Sequence, residues 1–89
     1  MSYQFRQFSI PDRMMPHLLR YIERHEPVGD FLTAVLENNL REACARADDE
    51  NQANLPAYLG YLHNEAPGKC WGSPEKVRAW LENSTQGEA

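Results

Sequence analysis

The chain reads as an all-α domain of about four short helices around a central helix at about residues 30–47, with an extended N-terminal arm. Three observations lead there. From Phe31 onward, Leu32, Val35, Leu36, Leu40, Ala43, Cys44 and Ala47 follow at spacings of three and four, which gathers them on one broad helical face. Proline, glycine and capping residues then fall where helices open and close. The apolar-polar alternation of strands is absent outside the first ten residues.

Residues 1–10 carry Tyr3, Phe5, Phe8 and Ile10 among polar neighbours, at neither helical nor strand spacing. They are expected to form an arm that becomes ordered when its aromatics dock, and that could join another subunit. Pro11 and Pro16 punctuate the first helix, which runs to about His25 with Met15, Leu18, Leu19 and Ile22 as its apolar stripe. Glu26-Pro27 ends it, because the residue before proline is pushed out of the α region. Val28-Gly29 links to the central helix, where Asp30 can cap and Glu37, Asn38, Arg41, Glu42 and Arg46 stay wet.

The acids Asp48, Asp49 and Glu50 suit a helix N-terminus, where the dipole is positive. They therefore start a third helix, which buries Leu55, Tyr58, Leu59, Leu62 and Ala66 and starts late or kinks at Pro56. Ala66-Pro67-Gly68 stops it. Ser73-Pro74-Glu75 opens the last helix with a hydroxyl cap, a first-turn proline and an acid. Val77, Trp80 and Leu81 face inward, and residues 83–89 form a frayed tail.

Eighty-nine residues make a single domain, 1–89, whose core is thin enough that self-association would help it. A net charge of −4 argues against general nucleic-acid or anionic-membrane binding, which needs surplus Lys and Arg to neutralise phosphates. No segment has the roughly 18 apolar residues of a spanning helix, and no secretory signal opens the chain. The expected location is a cytoplasm, with Cys44 and Cys70 as free thiols.

Arg13, His17, Arg20 and Arg24 recur at spacings of four, three and four, a strip suited to phosphate or carboxylate. They are the candidate anion-binding residues, and a nucleotide is one ligand of that class. The same arginines would otherwise face water and pair loosely with nearby acids. Tyr3, Phe5, Phe8, Tyr61 and Trp71 are candidate interface residues, provided they are not core packing. No catalytic set, metal ligand set or cofactor is expected. The histidines His17, His25 and His63 lack zinc spacing, the 48–51 acidic stretch lacks the glycine of a calcium loop, and no phosphate-binding glycine loop occurs.

The motifs IPDRMMPHLLRYIE, GDFLTAVLENNL, NNLREACARADDEN, YLHNEAP and CWGSPEKVRAWL resemble a family of small tailed-phage and prophage proteins marked by a C-W-G-S-P-E-K-V-x-A-W segment. The resemblance spans about residues 10–81. It implies a phage origin and a bacterial host cytoplasm, and it carries over no activity and no functional residue. The resulting expectation is a non-enzymatic phage accessory protein, a homo-oligomer that binds and neutralises or modulates a host protein or a small phosphorylated ligand. The alternative is a small hydrolase or transferase using Cys70 or His63. A DNA-binding regulator fits less well, since no helix presents a basic recognition face.

Overall fold

A computed structural model describes residues 3–86, with side chains to residue 83. Among these residues the chain is largely α-helical, as expected, with one small hairpin. The hairpin is β1 (Gln4–Phe5) and β2 (Phe8–Ser9), antiparallel, with Gln4 opposite Ser9 and Phe5 opposite Phe8. Arg6, at φ 56°, makes the tight turn. A 3-10 turn (Asp12–Met14) leads into α1 (Met15–Arg24), followed by α2 (Asp30–Leu36), α3 (Leu40–Arg46), α4 (Asp49–Ala53) and α5 (Leu55–Asn64). A second 3-10 turn (Gly68–Cys70) precedes α6 (Pro74–Gln86).

The expected extended arm is a hairpin seated on the chain's own α5. The Tyr3 ring meets Tyr61 edge-on at 5.3 Å, and the Ser9 amide donates to Asn54 Oδ1 at 3.0 Å. Phe5 lies so close to Gly60 that a Cβ there would stand 2.6 Å from the ring. Glycine is the residue that admits this approach. Residues 1–2 of the arm lie outside the described residues. The expected fraying from Asn83 lies partly outside them as well, since helix continues to Gln86 and residues 87–89 are not described.

The central helix is two helices. Asn38 takes the left-handed conformation at φ 64°, and the Asn39 side chain accepts from the Glu42 amide at 3.2 Å, capping α3. Asparagine tolerates the left-handed region and is a strong N-cap, so adjacent asparagines end one helix and start the next. The break changes the phase of the apolar stripe. Phe31, Leu32, Val35 and Leu36 are buried, whereas Leu40 is 61% exposed. Gly29, not Asp30, is the residue capping α2, and the Asp30 carboxylate pairs with Arg46 at 3.4 Å.

Other starts follow the sequence closely. Asp48 accepts from the Asn51 amide at 2.8 Å to cap α4, and Ser73 Oγ accepts from the Lys76 amide at 3.1 Å to cap α6. The third helix of the sequence reading is divided into α4 and α5 at Asn54, just before Pro56. Of the residues expected to be buried, Leu19 and Leu59 are exposed, while Tyr21 is fully buried. Tyr21 can enter the core because its hydroxyl donates to the Cys70 carbonyl at 2.7 Å, which removes the penalty of an unpaired buried oxygen.

Candidate functional site

The four residues of the basic strip do not converge. Arg13 sits in the first 3-10 turn, where its guanidinium binds Asp48 at 2.7 Å and Glu50 at 3.1 Å. These two hydrogen bonds, Glu50's the larger influence, raise the Arg13 pKa. The Asn51 amide is the main cause that lowers Asp48's, with Arg13 adding to it. Arg20 donates to His17 Nδ1 at 3.0 Å and lies 3.8 Å from Glu26. Arg24 is exposed one helical turn beyond Arg20. Three of the four are therefore engaged within the chain, and the strip is shorter than its spacing suggested.

Cys70 is fully buried, and burial pushes its thiol up to about 11. A thiolate nucleophile needs the opposite shift, and His63 stands exposed on α5. Cys44 is half-buried and free. Among the described residues, no group of three or more His, Cys, Asp and Glu side chains could hold a metal ion, and no helix is long and apolar enough to cross a membrane.

Of the candidate interface residues, Tyr3, Phe5, Phe8, Tyr61 and Trp71 are all half-buried against the chain's own core. Burial also raises the Tyr61 pKa. Their aromatic surface is mostly spent on internal packing.

Sequence reasoning missed a different surface. At the α2–α3 break, Leu40 stands beside an apolar hollow of about 90 Å³, walled by Val35, Asn38, Asn39, Ala43, Leu55 and Leu59. Leu59 is 40% exposed. The hollow has about the volume of one aliphatic side chain, and Leu40 forms part of its rim. The Asn38-Asn39 pair was the available signal, because a helix stop there uncovers Leu40.

Polar contacts gather around Trp80, where α6 meets α1. Its Nε1 donates to the Tyr21 carbonyl at 2.8 Å, its carbonyl accepts from His25 Nδ1 at 2.7 Å, and its indole stacks on the His25 imidazole at 4.1 Å. His25 holds the left-handed conformation that ends α1, at φ 58°. An open hollow of about 330 Å³ lies between the second 3-10 turn and α6, lined by Lys69, Glu75, Lys76, Ala79, Trp80 and Asn83. Compared with known proteins, the chain matches no family model, no curated protein and no solved structure.

Proposed function

We propose that this chain is a non-enzymatic accessory protein of a bacteriophage or prophage, acting in the bacterial host cytoplasm by docking onto a protein partner and associating with copies of itself. The phage setting rests on the sequence resemblance. The docking role rests on one observation: Leu40 and Leu59 project at 61% and 40% exposure beside an unfilled apolar hollow. Contiguous apolar surface of this kind gains free energy when a partner covers it. The patch is small compared with the roughly 800 Å² that each partner gives to a stable interface, so neighbouring polar surface on α3 and α5 must share the contact.

The test compares the wild-type chain with Leu40→Asp/Leu59→Asp. Both positions are exposed, so the double variant should keep its fold and its melting temperature. Sedimentation velocity reads self-association, and in-cell crosslinking with mass spectrometry reads host contacts. Saturable contacts that map to residues 38–43 and 55–59 and vanish in the variant are the expected result. Contacts that survive both substitutions, or a chain that makes no saturable contact, would end this reading.

A further inference from the structure

We infer that the hollow between the second 3-10 turn and α6 binds a small planar aromatic anion of the size of a nucleoside monophosphate, with its ring on Trp80 and its anionic group between Lys69 and Lys76. The inference is independent of the leucine surface. Lys76, Ala79, Trp80 and Asn83 follow at spacings of three, one and three, so they line one face of α6. Ala79, with its small side chain, stands next to Trp80 in the lining.

Trp80 is held as a platform before any ligand arrives. The His25 stack and the bonds made by its indole nitrogen and its own carbonyl fix it against α1, so binding need not order it. An indole accepts a flat aromatic ring by stacking. The Lys76 ammonium folds back over Gly72 and donates to the Gly68 carbonyl at 3.5 Å, which brings it beside residue 69. Neither Lys69 nor Lys76 joins an ion pair among the described residues. Lys69 and Lys76 outnumber Glu75 at the hollow, and the net positive charge favours an anion.

Size and charge narrow the class. The hollow, about 330 Å³, reaches the range of about 300–1,000 Å³ typical of small-molecule sites. Glu75 leaves the lining with a single net positive charge, which suits a monophosphate better than a triphosphate. Its carboxylate and the Asn83 amide can meet polar edges of the ring. The hollow is open outward, so binding should be weak and salt-sensitive.

The test is a titration of the isotope-labelled chain with adenosine 5′-monophosphate, followed by amide chemical shifts, with adenosine and inorganic phosphate as separate probes. The expected result is saturable shifts at residues 69–83, with adenosine and phosphate each at least about tenfold weaker. Lys69→Glu/Lys76→Glu and Ala79→Glu alter exposed positions only, and each should weaken the monophosphate at least about tenfold while the spectrum stays folded. Equal binding of inorganic phosphate would mean an anion patch without ring recognition and would overturn the inference. Undiminished binding in the lysine variant, no saturable shift, or shifts centred on His17, Arg20 and Arg24 would overturn it too.

Discussion

The seam between α1 and α6 and the face formed by α2, α3 and α5 treat apolar surface in opposite ways. At the seam the rings are tied down by polar contacts: Tyr21 donates to the Cys70 carbonyl, the Trp80 indole donates to the Tyr21 carbonyl, and His25 stacks on Trp80 while donating to its carbonyl. On the other face, two adjacent asparagines interrupt a helix and leave Leu40 in water beside an unfilled hollow. One region spends its side chains on holding itself together. The other keeps apolar area in reserve, which costs stability unless something covers it.

The sharpest way to break this contrast is Trp80→Ala. It removes the stack, a bond to α1 and packing against the core, with an expected loss of about 3 kcal/mol, read by chemical denaturation. A loss near zero would mean that the seam is not what ties α6 to α1.

Tyr21→Phe is a gentler probe of the same seam. It leaves the Cys70 carbonyl without its buried donor and should cost about 1–2 kcal/mol. The seam also predicts an alkaline limit. Burial raises the pKa of Cys70 from 9.0 to about 11, and raises those of Tyr21 and Tyr58. The folded chain therefore holds these protons more tightly than the unfolded chain does. Their contribution is complete below pH 9 and is lost as pH climbs toward 11 and beyond. Melting temperature against pH should be level up to pH 9 and then fall, and in Tyr21→Phe the fall should be shallower. An alkaline limb identical in the two proteins would remove Tyr21 from that account.

The smallest effect belongs to the break itself. Asn39→Ala deletes the α3 cap and should cost about 1 kcal/mol. Asn38→Gly should be neutral or slightly stabilising, because the position already requires positive φ. The pair sharpens the comparison: if Asn39→Ala leaves stability unchanged, α3 is held by packing and not by its cap.

Local chemistry was legible in the sequence, and long-range partnership was not. The acidic helix start at 48–50, the Ser73 cap, the stop before Pro27 and the all-α class each depend on neighbours within a few residues. The break at Asn38 hid because Leu36 and Leu40 keep the helical spacing across it, so periodicity continued where the backbone did not. Tyr21 displaced Leu19 from the core through a carbonyl 49 residues away, and Arg13 was claimed by acids 35 and 37 residues away. No spacing rule encodes such partners. The Lys69–Trp80 hollow stayed hidden for the same reason, since Lys69 reaches α6 only through the Pro67-Gly68 turn.

The seat of Phe5 on Gly60 has a bearing on the order of folding. The hairpin has no partner until a segment some fifty residues later has formed, as the Ser9 contact with Asn54 also requires. During synthesis Tyr3, Phe5 and Phe8 must therefore wait, unshielded, until α5 leaves the ribosome. These aromatics are made some fifty residues before their seat on α5, and a chain stalled before residue 60 would present them to chaperones.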